Sequence, residues 1–428
     1  MNKKLILISS PINTFSGYGA SARDIVRALF RIYPDADFKF ISLPWGNTPL
    51  NALNLDIPDE KRILDNILVS DKLSRKPDIF IQISVPNEFH PNGVFNIGIT
   101  AGIESTIASA AWIDGLNKMD LIIVPSKFSR DVLASTQWNA KRKVNNQTQI
   151  LKLEKEIRVL FEGYDSSIYK KIESIKSKEL NKVMSSIEED FVFLSVGHWI
   201  QGDLGHDRKD IGMLIKTFIE LFKDKDKKPA LLLKTSGATP SILDREQIMG
   251  KINNIKKLFK SKDLPNIYIL HGILSDEEMN ELYNHKKVKS FVSFTHGEGY
   301  GRPIAEFSTT GKPILVSKFS GHLDFLSSSA VTFLDGELID VHKSALVKNI
   351  FVEKAKWFKV DYEKAKIKLR YIFEHYNKVF ERSKKQSNYI KQFTLEKMTE
   401  ELSDMLKQYI SEERELILPE LPKLTKVE

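Results

Sequence analysis

Apolar and polar positions alternate along this chain in blocks rather than singly. Residues 4–9 form a short apolar run that ends in Ser-Ser-Pro. A glycine-bearing loop follows at 15–19, and then apolar residues recur at helical spacing over 20–30. That order predicts a strand, a glycine loop and a helix. Further apolar runs bounded by polar turns occur at 79–83, 94–99, 121–124 and 157–161, with helical stretches between most of them. Continuous apolar strands alternating with helices predict a parallel sheet covered by helices on its faces.

A charged stretch at 170–189 interrupts the pattern, which then starts again. The second set of predicted strands lies at 191–196, 230–233, 266–270, 290–294, 314–317 and 331–334. Between them, 213–222 carries apolar residues at helical spacing, and Ser275 with Glu278 has the spacing of a capping box that opens a helix. Long charged helical segments follow at 362–386 and 395–410, and a polar tail with prolines is expected to be poorly ordered. The division expected is 1–185 for a first α/β domain, 186–380 for a second, 381–410 for helices that follow it, and 411–428 for the tail. No internal repeat is visible.

A length of 428 residues suits two such domains, because one core seldom grows beyond about 250–300 residues. No apolar run is long enough for a membrane span and no cleavable signal opens the chain, so a cytoplasmic location is expected. The absence of cysteine excludes disulfides, thiolate metal sites and cysteine nucleophiles. A net charge of +8 permits attraction to phosphates, but the lysines are interspersed with carboxylates and identify no partner by themselves.

Candidate chemistry concentrates in His296-Gly297-Glu298-Gly299-Tyr300-Gly301-Arg302-Pro303-Ile304-Ala305-Glu306, after a predicted strand and leading into a short helix. The glycines allow close backbone approach and expose amide donors at a helix N-terminus, which suits a phosphate or a sugar hydroxyl. Glu298 and Glu306 are eight positions apart, about two helical turns, so both can face one cleft. Carboxylates accept strong hydrogen bonds from hydroxyls. The plainer reading is that the two acids merely cap and decorate a helix.

Residues 298–306 resemble the E-x7-E motif of the retaining GT-B glycosyltransferases of the family-four type, and their surroundings agree. Residues 267–272 followed by Leu274-Ser275-Asp276-Glu277-Glu278 resemble that family's strand, glycine and capped helix. Gly311-Lys312-Pro313-Ile314-Leu315-Val316 with Ser320-Gly321 is similar to its G-x-P-V-I strand and following turn. Val124-Pro125-Ser126-Lys127-Phe128 and residues 159–165 resemble two elements of its first domain. The resemblance covers residues 1–410 and implies two Rossmann-like domains facing a cleft, with the last helices crossing back to the first domain. Phrases such as 99–112 and 320–326 resemble phage-encoded members.

The resemblance also implies roles. Glu298 would contact the sugar of a nucleotide-sugar donor and Glu306 its ribose, while Gly299, Tyr300 and Gly301 lend backbone contacts and Ile273 borders the donor. Arg208, Lys209 and Lys234 would neutralise the diphosphate from strand ends, where doubly wound sheets bind phosphates. Here the sequence departs from the family, with Gly197-His198-Trp199 and a longer loop at 201–207 where an arginine often follows the strand glycine. Which cation meets which phosphate therefore stays open. No D-x-D motif ends a strand, so a metal-independent reaction without a cofactor is expected. Gly17 and Gly19 resemble the family's glycine loop, and Glu104, with Trp112 after it, stands where relatives carry an acceptor-site histidine.

The activity implied is transfer of a hexosyl or pentosyl group from a UDP- or GDP-sugar to an acceptor hydroxyl with retention of configuration. Two acceptors stay open: a hydroxylated base in phage DNA, toward which the basic stretch 139–149 could contribute, and a surface or lipid-linked saccharide. A reading of another class is a non-catalytic protein that binds a nucleotide sugar or nucleic acid.

Overall fold

The computed structural model describes residues 3–69, 73–141, 148–237 and 239–410. The first domain is built on strands β1 (Leu5–Ser10), β2 (Asp37–Ser42), β3 (Ile79–Ile83), β4 (Phe95–Ile99) and β5 (Leu121–Val124), a hairpin of β6 (Gln137–Lys141) and β7 (Thr148–Lys152), and β8 (Ile157–Val159). Helices α1 (Gly17–Ile32), α2 (Pro58–Leu64), α3 (Ala110–Leu116) and α4 (Lys127–Ser135) lie between them. The main sheet has the order β2-β1-β3-β4-β5-β8 and every pairing in it is parallel. All residues of β1, β3 and β5 are buried, which is why they read as largely apolar runs, with Gln82 in β3 and Ser9-Ser10 at the end of β1 as the polar members.

After helix α5 (Lys178–Ser185), strands β9 (Val192–Val196), β10 (Ala230–Lys234), β11 (Ile267–Leu270), β12 (Val288–Ser293), β13 (Ile314–Ser317) and β14 (Thr332–Leu334) form the second sheet. Its order is β11-β10-β9-β12-β13-β14, again wholly parallel. Helices α6 (Ile211–Phe222), α7 (Ile242–Lys256), α8 (Asp276–Asn284) and α9 (Arg302–Ser308) cover it. The expected capping box is present on α8: Glu278 N donates to Ser275 Oγ, and Ser275 N donates to the Glu278 carboxylate. Residues 169–177 lean on the second domain, with the backbone amides of Lys176 and Ser177 donating to the Glu281 carboxylate on α8.

An antiparallel pair, β15 (Gly336–Asp340) and β16 (Lys356–Val360), projects from the second domain. It reaches the first domain: Thr106 N donates to the Lys356 carbonyl at 2.8 Å and Ser109 Oγ to the Asn349 carbonyl at 2.9 Å. The predicted helix at 362–386 breaks at His375 into α10 (Tyr362–Glu374) and α11 (Tyr376–Tyr389). Finally α12 (Leu395–Tyr409) crosses back and packs against α1. Leu395 N donates to the Tyr164 carbonyl and Arg158 Nε to Tyr409 Oη, so the crossing expected from the resemblance is built.

Two expectations shift in detail. The glycine loop at 15–19 is the first turn of α1, with Ser16 as its N-cap accepting from Gly19 N at 3.0 Å. Strand β2 has no counterpart among the predicted strands, because as a half-exposed edge strand it alternates polar and apolar side chains. The basic stretch 139–149 enters the β6–β7 hairpin, but Arg142, Lys143 and the rest of 142–147 lie outside the described residues, as does the polar tail 411–428.

Candidate active site

The strand order positions the site. In each sheet the chain direction of the connections reverses once, between β1 and β3 in the first and between β9 and β12 in the second. Loops leaving the carboxyl ends of two neighbouring strands at such a point diverge and leave a crevice between them. The loop after β9 carries Arg208 and Lys209; the loop after β12 carries Glu298.

Two buried aspartates frame the cationic pair. Asp207 accepts from Ile211 N at 3.0 Å and so supplies the cap of α6. Asp210 has a left-handed backbone, φ 50°, and its carboxylate accepts from Tyr362 Oη at 2.8 Å. The Arg208 carbonyl accepts from His296 N at 3.0 Å, which ties the β9 loop to the β12 loop. His296 is fixed in turn by the Phe358 carbonyl, 2.6 Å from Nδ1, and by stacking on Trp357 at 4.3 Å.

Lys209 pairs with Glu298, and Arg208 pairs with Glu104 of the first domain. The Glu298 side chain is 7% exposed and that of Lys209 12%, so the pair is almost dry. Burial raises the Glu298 carboxyl, but the Lys209 ammonium and the Arg208 guanidinium outweigh it and hold it below the ordinary carboxylate value. In Glu104 burial prevails over Arg208, and its carboxyl is raised. The Glu298 backbone is clamped as well. Its N–H donates to Ser320 Oγ at 2.8 Å and its carbonyl accepts from Gly321 N at 2.9 Å, while Ser320 itself holds φ 76° and ψ −159°, a region natural only for glycine.

Gly297, Gly299 and Gly321 face protein backbone. A Cβ on Gly299 would overlap the Ala101 carbonyl oxygen, one on Gly297 the Glu104 carbonyl oxygen, and one on Gly321 the Gly299 carbonyl oxygen. Three segments from two domains thus meet main chain to main chain. Gly301, φ 105°, is the left-handed residue that starts α9. Tyr300 turns inward, with its ring 4.7 Å from that of Phe325 and its hydroxyl buried without a partner among the described residues.

Glu306 lies in a second cluster. It accepts from Tyr283 Oη at 3.0 Å and is 3.9 Å from Arg302 Nε. Arg302 reaches across to Asp24 on α1 at 2.8 Å and to Glu162, just after β8, at 3.5 Å. Burial pushes Glu306 and Glu162 up to about 7 against the attraction of Arg302. Glu298 has Lys209 and Arg208 as its nearest charged neighbours and Glu306 has Arg302, and Glu162 lies in the field of both Arg302 and Glu298. Arg302, Asp24, Glu162 and Tyr283 were not singled out, although Asp24 left a signal as a carboxylate inside the apolar helical pattern of 20–30.

Lys234 closes β10, and its Nζ donates to the Gly272 carbonyl at 2.6 Å, next to Ile273, which is 45% exposed. His198, directly after Gly197, has its ring Nδ1 2.9 Å from Ser236 Oγ. Burial, with Arg208, Lys209 and Lys234 adding to it, lowers the imidazole to about 4, so it is neutral at pH 7. Gly17 is open to approach, whereas a Cβ on Gly19 would overlap the Thr14 carbonyl. Among the described residues no group of three or more His, Asp or Glu has a metal-binding arrangement, and no helix is long and apolar enough to cross a membrane.

No family model and no curated protein matches the sequence. Solved structures do match. A glycosyltransferase from Rickettsia africae ESF-5 is 14% identical with a TM-score of 0.63, over 96% of this chain and 100% of that one. Sucrose-phosphate synthase from Thermosynechococcus elongatus is 12% identical with a TM-score of 0.62, over 95% and 99%. HepE from Anabaena, solved with UDP and glucose, is 12% identical with a TM-score of 0.53, over 95% and 100%. With two wholly parallel six-stranded sheets, helices on their faces and a last helix returned to the first domain, the chain has the GT-B fold of these enzymes.

Proposed function

We propose that this protein is a retaining, metal-independent glycosyltransferase that moves a sugar from a nucleoside-diphosphate sugar, foremost a UDP-sugar, to an acceptor hydroxyl. The observation that carries the reading is the buried pairing of Lys209 with Glu298 beside Arg208 and Glu104, where the two domains meet. A protein that only needed the fold would gain nothing by burying four ionisable groups there, since removing charges from water costs more than most pairs return. The presence of UDP, glucose and UDP-glucose in structures of HepE supports a UDP-sugar as donor.

In the reaction the bond from the sugar's anomeric carbon to the diphosphate oxygen breaks, and a bond from that carbon to the acceptor oxygen forms on the same face. The acceptor's proton passes to the departing phosphate oxygen. Arg208, Lys209 and Lys234 neutralise the nucleoside diphosphate as it leaves, Glu298 orients the sugar through its hydroxyls, and Glu306 holds the ribose. Positioning and fixed charge supply the rate enhancement. Glu104 stands on the acceptor side and releases Arg208 to the diphosphate when the donor enters.

The acceptor is a hydroxyl of a modified DNA base or of a saccharide. Incubation with UDP- and GDP-sugars, with hydroxymethylated DNA and with oligosaccharides, each with and without EDTA, tests the whole reading by nucleotide release and product mass. Release that persists in EDTA is expected; a metal requirement overturns the cation account, and no release from any donor leaves a binding protein.

A further inference from the structure

Beside Glu298 lies an acceptor atom that the reaction above does not use. His322 sits in the single turn Gly321–Asp324 and has no solvent exposure. Its Nε2 is 2.7 Å from the Ser317 carbonyl oxygen. A carbonyl oxygen only accepts, so Nε2 carries the proton and donates. In a neutral imidazole this leaves Nδ1 with a bare lone pair. That atom is buried with no hydrogen-bond partner among the described residues. Burial lowers the imidazole's affinity for a second proton, which keeps the ring neutral.

Buried acceptors left unpaired are uncommon and each calls for a cause. The surroundings of this one supply it. The charged groups that act on the ring are Glu298 and Lys209. A Cβ on Gly301 would stand 3.3 Å from His322 Cβ, so the ring's stem abuts the 298–301 turn. Gly321 N donates to the Glu298 carbonyl and Glu298 N to Ser320 Oγ, which binds the His322 turn and the Glu298 loop into one unit. Glycine-like strain at Ser320 is sustained at the same place. A carboxylate and an unprotonated ring nitrogen both only accept, and the partner that matches two such acceptors carried on tied turns is a group with several hydroxyl donors.

We propose that His322 Nδ1 accepts a hydrogen bond from one hydroxyl of the donor's sugar, next to the hydroxyl taken by Glu298, and thereby selects donors that carry it. This rests on the glycosyltransferase reading. A site built to pair with a hydroxyl discriminates strongly against the analogue lacking it, because the protein group is then left buried and unpaired.

The test compares wild type with His322→Leu and His322→Asn. Affinity for UDP and for the UDP-sugar is measured by calorimetry, and kcat/KM is measured over a series of monodeoxy UDP-sugars. Wild type is expected to reject one deoxy analogue at least about 100-fold. His322→Leu should lose that discrimination for the one analogue alone while binding UDP as wild type does, and His322→Asn, whose side-chain oxygen stands in for Nδ1, should regain part of it. Discrimination that survives in His322→Leu, or an equal loss across all analogues and for UDP, overturns the proposal. A wild type that turns over no donor overturns the glycosyltransferase reading as well, which separates the two failures.

Discussion

The Arg302 guanidinium on α9 lies 2.8 Å from the Asp24 carboxylate on α1, and through this contact the two domains share one buried charge cluster. Arg302 also meets Glu162 and Glu306, so a single cation serves three carboxylates. Its position between Glu298 and Glu306 couples the spacing of those two acids to the docking of the first domain.

Replacement Arg302→Met leaves Glu162 and Glu306 without their cation and Asp24 with Arg27 alone, 3.5 Å away. Removing one partner of a buried ion pair costs about 3–5 kcal/mol, and the loss should appear in denaturant unfolding at pH 8. Carboxyls raised by burial regain stability when protonated, so the deficit should shrink toward pH 5. A deficit independent of pH contradicts the shared-cation arrangement.

Glu162→Gln should behave in the opposite sense. The Glu162 carboxyl is raised to about 7 by burial. A group with a raised folded-state pKa contributes stability that is full below its unfolded value, about 4.3, and is lost as pH climbs through 7. The neutral amide carries no such penalty. Thermal unfolding between pH 5 and 8 should therefore fall less steeply in the variant, which at pH 8 should be no less stable than wild type despite the broken ion pair. A variant clearly weaker at pH 8 refutes this.

Glu298→Gln separates binding from turnover. The carboxylate on Lys209 competes with any phosphate for that cation, so UDP should bind the variant at least as tightly as wild type. Transfer should fall about 100-fold or more, because the sugar loses its charged acceptor. The comparison is calorimetric affinity for UDP against kcat; normal turnover removes Glu298 from the proposed mechanism.

Gly299→Ala tests the main-chain contact between the domains. A methyl group there would overlap the Ala101 carbonyl oxygen, and the lobes must separate to admit it. A displacement of about 1 Å at reacting groups can cost about 100-fold in rate. The expected result is that loss in kcat/KM with an unchanged circular dichroism spectrum.

Much of this was legible in the sequence. Strands β1, β3 and β5 are buried on both faces and announce themselves as apolar runs. The capping residues of α8 lie three apart in the chain and are visible without tertiary information. What escaped depends on distant parts of the chain. Strand β2 is an edge with mixed faces, and the β15–β16 pair takes its meaning from Thr106 and Ser109, more than 200 residues earlier. Arg302 stood inside the motif, but its partners Asp24 and Glu162 are brought to it only by the docking of two domains. The packing of Gly297 and Gly299 against the main chain of Glu104 and Ala101 is likewise set by the docking of the two domains, which residue spacing does not reveal.

Helix α12 buries Leu395, Met398, Leu402, Met405 and Leu406 in the same apolar cluster as Ile25, Val26 and Leu29 of α1. During synthesis the first lobe therefore emerges with an uncovered greasy side and waits for some 230 further residues, about the stretch from β8 to α12, before its own core is finished. The earliest part to be made is among the last to be completed, and in the interval that surface is the one a chaperone would hold.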